Sequence, residues 1–240
     1  MTKAVLGIGM LGWIAACAPR AVEPRSPEPT SPATAAACDQ GKGPSCVELA
    51  DRYDSGTGVE RSTVKALELY LQACQHDVAR GCSAAAELLI GGDGVPKDEA
   101  KGMVLREKAC KLNEPIACNN LGAAYSEAKE GVASVDHAKA RVFYEKSCKL
   151  DDGVGCFNLG NVFRLGEGMA IDLPRALAEF QRACELDTAM GCTEAGILYC
   201  EGSAVPRDLA KGIALFDKGC RLGSEVSCRN RDRLRDAHAP

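Results

Sequence analysis

Cysteines in regular pairs are the residues of this sequence best suited to chemistry. Fourteen are present, and twelve of them form six pairs, each with seven residues between its two cysteines. The pairs are Cys38 with Cys46, Cys74 with Cys82, Cys110 with Cys118, Cys148 with Cys156, Cys184 with Cys192, and Cys220 with Cys228. Zinc-binding cysteines usually stand about two to four residues apart, and the histidines are few: His76, His137 and His238. We therefore predict six disulfides, no metal site and no cofactor, in an oxidising compartment.

Two short strings could hold a catalytic serine. The letters S-T-V-K at 62–65 and S-E-A-K at 126–129 match S-x-x-K, which carries the nucleophile of serine β-lactamases. The S-D-N and K-T-G elements that accompany it in those enzymes are lacking. We interpret both strings as structural. Ser62, Lys65, Ser126 and Lys129 are the weaker, catalytic alternative.

The cysteine pairs recur at a nearly constant step. Successive pairs lie 36 residues apart, except that 38 residues separate Cys110 from Cys148. Self-similarity at a fixed period indicates one structural unit repeated in a stack. We therefore predict a single elongated array of repeats for this chain of 240 residues.

The residues after each second cysteine follow a helical pattern. Positions +3 and +4, counted from that cysteine, are Leu49-Ala50, Ala85-Ala86, Leu121-Gly122, Leu159-Gly160 and Ala195-Gly196, and position +7 is Tyr53, Leu89, Tyr125, Phe163 or Tyr199. These positions share one face of an α-helix, which we call helix A. The small residue at +4 predicts the close approach of another helix. Glycine-rich turns end helix A except in the third unit, which carries the two extra residues.

A second helix, helix B, begins at an N-cap residue twelve positions before each following first cysteine. These residues are Ser62, Asp98, Asp136, Asp172 and Asp208, whose side-chain oxygens can accept hydrogen bonds from the amides of a first turn. Positions are counted back from the same cysteine, and on the buried face of helix B the residues at −8 and −1 are small. Position −4 holds Tyr70, Arg106, Tyr144, Phe180 and Phe216.

Each cysteine pair therefore joins the end of one helix B to the start of the next helix A. A disulfide requires Cα atoms about 5.5 Å apart, closer than packed helices usually come, and the small residues permit this approach. Closing a loop of nine residues contributes about 2.6 kcal/mol in the chain-entropy model. After the last pair, Arg231, Asp232 and Arg235 replace the apolar positions, as expected of a terminal cap.

The N-terminal segment has the features of an export signal. Lys3 is followed by an apolar run to Ala16, too short to span a bilayer as a mature helix. The letters I-A-A-C at 14–17 resemble the lipobox of bacterial lipoproteins, which implies cleavage before Cys17 and lipidation of its sulfur. Ala18 then favours an outer-membrane lipoprotein, facing the periplasm or the cell surface. The alternatives are simple cleavage after Ala16 or an uncleaved anchor.

These features divide the chain into three parts. Residues 1–16 are the predicted signal peptide, residues 17–35 a proline-rich tether, and residues 36–235 the repeat array. The net charge of −4 argues against a nucleic-acid partner, which normally requires a basic face.

The repeats also resemble a known family. The paired cysteines, the A-C-x-L helix ends at 109–112 and 183–186, and the C-x-N-L-G starts at 118–122 and 156–160 are similar to the Sel1-like repeats of the Helicobacter cysteine-rich proteins. The resemblance implies an all-α fold, an α/α superhelical solenoid of disulfide-bridged repeats related to tetratricopeptide repeats. It also implies either an interaction module or a penicillin-binding protein with weak β-lactamase activity.

Ligand binding is the function that we favour over catalysis. In superhelices of this type helix A lines the concave wall, and polar or aromatic residues cluster there in the third and fourth units: Asn119, Asn120, Phe157, Asn158 and Asn161. Amides can bind the backbone of an extended segment. The partner would be a protein or peptide, with cell-wall peptide or a β-lactam as candidates. The alternative is that these asparagines only bond locally at the helix start.

Cys200 is the odd thiol within the repeats. It follows the position +7 residue of its helix A, where other units have Asp54, Ile90, Ser126 and Arg164. We interpret it as an inert, partly buried small apolar residue. The alternative is a reactive or intermolecular thiol.

Overall fold

The computed structural model of the protein describes residues 32–132 and 134–236, and every regular element in these ranges is a helix. The helices are α1 (Pro32–Asp39), α2 (Gly43–Ser55), α3 (Thr63–Gln75), α4 (Ala79–Gly91), α5 (Glu99–Lys111), α6 (Pro115–Glu127), α7 (His137–Lys149), α8 (Gly153–Leu165), α9 (Leu173–Glu185), α10 (Ala189–Glu201), α11 (Leu209–Arg221) and α12 (Glu225–Asp236). The predicted signal peptide, Cys17 and His238 lie outside the described residues.

The helices form a repeat solenoid with the predicted A/B order. The A helices are α2, α4, α6, α8 and α10, the B helices are α3, α5, α7, α9 and α11, and α1 and α12 flank the five pairs. Helix α1 begins at Pro32, four residues before the boundary that we placed from the proline content. Proline fits the first turn of a helix, and the alanines that follow it are strong helix formers.

Each helix B begins at the predicted cap. The side chains of Ser62, Asp98, Asp136, Asp172 and Asp208 each accept a hydrogen bond from the backbone N–H three residues later. Four A helices end at a glycine in the left-handed region, as at Gly166 with φ of 69°. In the third unit Ala128 takes this conformation with φ of 50°, and the two extra residues lie in the loop that follows.

All six predicted disulfides are formed, and each links a helix to the next one. They join Cys38 to Cys46, Cys74 to Cys82, Cys110 to Cys118, Cys148 to Cys156, Cys184 to Cys192, and Cys220 to Cys228. The Cα atoms lie 4.5–4.8 Å apart, closer than the distance of about 5.5 Å that we expected. Small residues make this approach possible. A Cβ added to Gly191 would lie 2.6 Å from the Cβ of Ala183, too close for two carbon atoms.

The second cysteine of each pair is the fourth residue of its helix, which agrees with the predicted place at the start of helix A. This holds for Cys46 in α2, Cys82 in α4, Cys118 in α6, Cys156 in α8, Cys192 in α10 and Cys228 in α12. The connecting turns are short because one residue in each takes the left-handed conformation and reverses the chain, as Asp77 does with φ of 57°. The next helix can therefore begin before its cysteine is reached.

In the third, fourth and fifth pairs, an aromatic ring of helix B packs on the glycine at +4 of helix A. A Cβ at Gly160 would lie 2.6 Å from the ring of Phe180, and a Cβ at Gly196 would lie 2.7 Å from the ring of Phe216. Both phenylalanines are almost fully buried. The sequence predicted a close approach of another helix at +4, and the structure shows that the small residue there makes room for a ring of helix B.

The A helices form the inner layer of the stack. Direct contacts join α2 to α4, α6 to α8, α8 to α10, and α10 to α12. Such contact between neighbouring B helices is seen for α9 and α11. A layer in which successive helices lie closer together is the concave side of a curved array.

Arg106 takes the place of the ring in the second unit. It is 1% exposed, and its guanidinium donates hydrogen bonds to Glu87 and Glu130. The first unit has a related contact at the same positions, because the Tyr70 hydroxyl donates to Asp51 Oδ1 at 2.7 Å. Both side chains thus reach a carboxylate at +5 of helix A.

We predict that Arg106→Tyr is nearly neutral, whereas Arg106→Ala is strongly destabilising. Tyrosine can fill the site and donate to Glu87 as Tyr70 does to Asp51, so we expect a loss of no more than about 1 kcal/mol. Alanine leaves a cavity and two unpaired carboxylates, so we expect a loss of about 3–5 kcal/mol. Urea unfolding followed by circular dichroism measures both. Equal losses for the two variants would contradict the account.

Candidate functional site

The candidate site is the outward strip of the A helices, which we call the A face. It consists of positions −2, +2, +5 and +9, counted from the second cysteine of each unit. At 100° per residue these positions point away from the core positions 0, +3, +4 and +7. Asn120, Asn158 and Asn161 belong to the A face by this count and are half-buried. Asn119 and Phe157 stand at +1, on the flank of the helix.

The disulfide sulfurs lie on the core side of the A helices and not on the A face. The side chains of Cys46, Cys82, Cys118, Cys156 and Cys192 are fully buried. In α12, the last helix of the described residues, Cys228 is half-buried. These cysteines therefore act structurally, by setting the height and rotation of each A helix.

The asparagines are joined by hydrogen bonds that cross from one unit to the next. Asn158 Nδ2 in α8 donates to Asn119 Oδ1 in α6 at 2.8 Å, and Asn119 Nδ2 donates to Asn120 Oδ1 at 3.4 Å. Asn120 Nδ2 then donates to Glu87 Oε1 in α4 at 3.2 Å. Three successive A helices therefore share one row of bonded side chains, which we call the amide row: Glu87, Asn119, Asn120 and Asn158.

The amide row is anchored in the core. Glu87 Oε1 also accepts a hydrogen bond from Arg106 Nη2 at 2.9 Å, and Arg106 is buried between helices. The row is thus fixed at one end by a charged side chain that cannot move without breaking core packing. Sequence reasoning missed both Glu87 and Arg106, although Arg106 already stood out as the one charged residue in the aromatic series at −4.

The other two predicted site residues do not join the amide row. Asn161 Oδ1 accepts two hydrogen bonds from Arg164, at 3.2 and 2.9 Å, within its own helix. The Phe157 ring packs against the Phe180 ring with centroids 5.7 Å apart, and it contacts the core of the fourth unit. Phe157 is therefore at the edge of the core, and Asn161 bonds locally.

Ser62 has a structural role. Its Oγ accepts the hydrogen bond of the Lys65 backbone N–H at 3.4 Å, at the N-cap of α3. The Lys65 ammonium lies 5.2 Å from the centre of the Tyr53 ring, a cation–π distance. Arg175 and Lys211 lie over rings at the matching places of later units. The lysine is thus one of a repeated set.

Ser126 lies in a polar cluster with Glu167 and His137, and the arrangement of these three side chains does not suit nucleophilic catalysis. Its Oγ donates to Glu167 Oε2 at 3.4 Å, and His137 Nδ1 lies 3.5 Å from that same oxygen. The carboxylate thus stands between serine and imidazole, whereas a nucleophile needs its base alongside. Lys129 pairs with Glu127 at 2.9 Å.

Tyr144 is not a base for Ser126 either. Burial raises the pKa of Tyr144 to about 12, and the nearby charges of Glu127 and Glu167 act in the same direction. Its hydroxyl therefore stays protonated at neutral pH. The geometry thus gives the β-lactamase alternative no support.

A cavity of about 540 Å³ lies between α5 and α7, beside the loop that holds the two extra residues. The stacked rings of Tyr125 and Phe143, 5.6 Å apart, line it. The Lys139 ammonium lies 5.0 Å from the centre of the Tyr125 ring. Lysines and the carboxylates of Glu107 and Asp136 both surround the cavity, so its charge selects neither anions nor cations.

Cys200 is the free cysteine of the described repeats, and it fills a gap between two helices. A Cβ at Gly212 would lie 2.2 Å from its Sγ, just as a Cβ at Gly102 would lie 2.5 Å from Ile90. Burial raises the pKa of the Cys200 thiol, so less of the reactive thiolate is present at neutral pH. These observations agree with the predicted packing role.

A disulfide-bridged array of helix pairs with an inner polar face defines the class of protein, a helical repeat scaffold. Five consecutive segments match the family model of the Sel1 repeat, at residues 43–78, 79–114, 115–152, 153–187 and 189–224. The chain therefore belongs to the Sel1 repeat family. No curated protein matches its sequence.

Two solved structures show the same fold with TM-scores above 0.7. The chain is similar to a protective antigen of uropathogenic Escherichia coli, with a TM-score of 0.75 and 21% identity over 86% of this chain and 44% of that one. It thus spans less than half of that protein. A Sel1 repeat protein of Oxalobacter formigenes is similar with a TM-score of 0.73 and 19% identity, over 82% of this chain and 86% of that one. Cysteine-rich protein B of Helicobacter pylori matches with 30% identity and a TM-score of 0.46, over 56% of this chain and 95% of that one.

The disulfides indicate an extracytoplasmic protein, because bonds of this kind are rare in the reducing cytosol. Among residues 32–132 and 134–236, none of the helices combines the length and hydropathy required to cross a bilayer.

We predict that Ser62→Ala lowers stability without affecting any reaction. Loss of an N-cap costs about 0.5–2 kcal/mol, so the urea midpoint should fall, and Ser62→Asp should restore it because the other units use aspartate. Nitrocefin hydrolysis by the purified wild type, Ser62→Ala and Ser126→Ala should be equally negligible. Turnover that disappears in either serine variant would overturn the structural interpretation.

Proposed function

We propose that this protein is an extracytoplasmic, lipid-anchored scaffold that binds an extended segment of another protein on its A face. Sel1 repeats form a scaffold suited to protein binding. The finer proposal concerns the surface used, the conformation of the ligand and the anchor.

The amide row is the observation that supports the A face as the binding surface. An asparagine side chain offers two donor hydrogens and two acceptor lone pairs. Asn120 uses one donor hydrogen and one acceptor lone pair in bonds to its neighbours, and Asn158 uses one donor hydrogen. Both side chains therefore keep donors and acceptors for the N–H and C=O groups of an extended backbone, which alternate along such a chain.

The amide row is also held in place before any ligand arrives. Hydrogen bonds fix Asn119 and Asn120 at both ends of their side chains, and Arg106 holds the carboxylate of Glu87. Immobilising a flexible side chain on binding costs about 0.5–1.5 kcal/mol of conformational entropy. A side chain that is already ordered loses little of it. This preorganisation supports a role of the amide row in ligand binding.

The anchor is the lipidated Cys17, and the proline-rich residues that follow it separate the array from the membrane. The lipobox-like letters at 14–17 and the disulfides of the repeats support this location. Lipid chains on one residue would hold the protein at a membrane surface. The destination inferred from Ala18 is the outer membrane.

The amide row gives a direct test of binding. Random peptides displayed on phage are selected against the immobilised protein, synthesised with a fluorescent label, and measured by anisotropy. We expect Asn120→Ala plus Asn158→Ala to weaken the selected peptides at least tenfold. Two hydrogen bonds to backbone groups, at about 1 kcal/mol each, account for a change of this size.

The matched control is Gln75→Ala plus Lys101→Ala, which removes two exposed polar side chains from B helices. This variant should bind like the wild type, and circular dichroism should show both variants folded. Unchanged affinity in the asparagine variant, or an equal loss in the control, would count against the A face.

The anchor is tested separately with Cys17→Ser. In a bacterial host fed an alkyne-labelled fatty acid, the wild type should take up the label and sediment with membranes. Cys17→Ser should do neither, and Cys200→Ser should behave as the wild type. Equal labelling of Cys17→Ser would refute lipidation at this residue.

A further inference from the structure

Four consecutive A-layer helices expose a large apolar side chain at the same position. The residues at −2 of α6, α8, α10 and α12 are Ile116, Val154, Met190 and Val226, with exposures of 57%, 41%, 50% and 45%. In α2 and α4 this position holds Pro44 and Arg80. We call the four exposed side chains the apolar row. Single exposed apolar residues are ordinary, but here they occur in four consecutive helices out of the six in the A layer and form a continuous line.

The apolar row runs beside a polar one. Position +2 lies one helical turn after −2 on the same face, and it holds Asn120, Asn158, Glu194 and Asn230 in these four helices. With Asn230, amide side chains at +2 occur beyond the third and fourth units. This residue was not predicted, because the last helix was interpreted from the sequence as a polar cap. A ligand that crosses the A helices would thus meet apolar groups along one edge and amides along the other.

The spacing of the rows limits the conformation of that ligand. Packed neighbouring helices lie about 8–10 Å apart, so the ligand must present one apolar side chain at about that interval. A β-strand repeats a face every two residues, or about 6.6–6.8 Å, which does not match. A polyproline II helix repeats a face every three residues, or about 9.3 Å, which does.

An α-helix could also match, because seven residues advance it by about 10.5 Å. Its backbone groups are already bonded to one another, however, and would leave the amides without partners. A polyproline II segment has no internal hydrogen bonds, so its carbonyl groups are free to accept from asparagine side chains. The amides beside the apolar row therefore favour the polyproline II form.

The charge of the A face favours a basic ligand. From α6 to α12 it carries the carboxylates of Glu127, Glu194 and Glu201 and the cation of Arg233. Glu127 is already paired with Lys129, so Glu194 and Glu201 are the carboxylates left for a ligand. Glu194 interrupts the amides, and none of the ion pairs formed by the described residues involves it. A lysine or arginine of the ligand can pair with it from the solvent side.

We propose that the A face of α6, α8, α10 and α12 binds a basic, proline-containing segment in the polyproline II conformation, with an apolar side chain at every third residue. This inference rests on the proposed function, because it names the ligand class of the same face. About ten residues are enough to span four helices.

The probe is a fluorescein-labelled peptide with the triplet Pro-Leu-Lys repeated four times, and binding is measured by fluorescence anisotropy. We expect Val154→Ser plus Met190→Ser to weaken it at least tenfold, because two leucine contacts lose their apolar partners. Val64→Ser plus Val104→Ser is the matched control, since it removes two exposed valines from B helices. This control should bind as the wild type does.

Two further peptides decide between ligand conformations. One has the same composition with its leucines grouped at one end, and the other is helical with a leucine at every seventh residue. Both should bind at least tenfold more weakly than the triplet peptide. Equal binding of the grouped peptide would mean that charge alone acts, and tighter binding of the helical peptide would mean a helical ligand, so either result overturns the proposal. Sedimentation that shows a dimer lost in Val154→Ser plus Met190→Ser would overturn it too, since a second copy would then be the occupant.

The phage-selected peptides separate this inference from the proposed function. If they depend on Asn120 and Asn158 while the triplet peptide does not bind, the A face binds segments of another kind and the further inference fails alone. If the selected peptides do not depend on these asparagines either, the proposed function fails as well.

Discussion

The structure depends on one repeated constraint, a disulfide that closes a nine-residue loop between each helix B and the next helix A. With Cα atoms only 4.5–4.8 Å apart, the two helices can meet only where one of them offers a small residue. Gly191 beside Ala183 is an example of the result. Because every unit makes this contact at the same position, each A helix is set at the same height relative to its neighbours. Side chains at equivalent positions then fall into rows across the array, and the rows are what a ligand would meet.

The inner surface is least uniform in the second to fourth units, and its special features are connected there. Arg106 replaces a ring, and its charge is balanced by Glu87 from the A face and Glu130 from the loop of the third unit. Glu87 in turn begins the amide row that ends at Asn158. The core substitution, the longer loop and the polar surface are therefore one connected arrangement. A change at Arg106 would reach the A face through Glu87, so the stability of this unit and ligand binding are coupled.

The sequence alone was sufficient for the repeated framework of the fold. The cysteine period predicted the disulfides, the caps such as Asp98 predicted the starts of the B helices, and the small residues at +4 predicted close packing, because each signal occurs in several copies. Contacts that occur once were not predictable in the same way. The bond between Asn158 and Asn119 joins residues 39 positions apart and depends on the direction of two side chains in neighbouring units. Helix α1 was not predicted, because the prolines before it outweighed its short alanine run.

The most direct test of this account is a disulfide map of the unreduced protein by peptide mass spectrometry. Digestion of the purified mature protein, with free thiols blocked beforehand, should yield six linked species, each joining a cysteine to the one eight residues later, and a single blocked thiol within the repeats, at Cys200. Cysteines that are blocked instead of linked, or linkages between distant units, would contradict the constraint from which the packing, the rows and the proposed binding surface all follow.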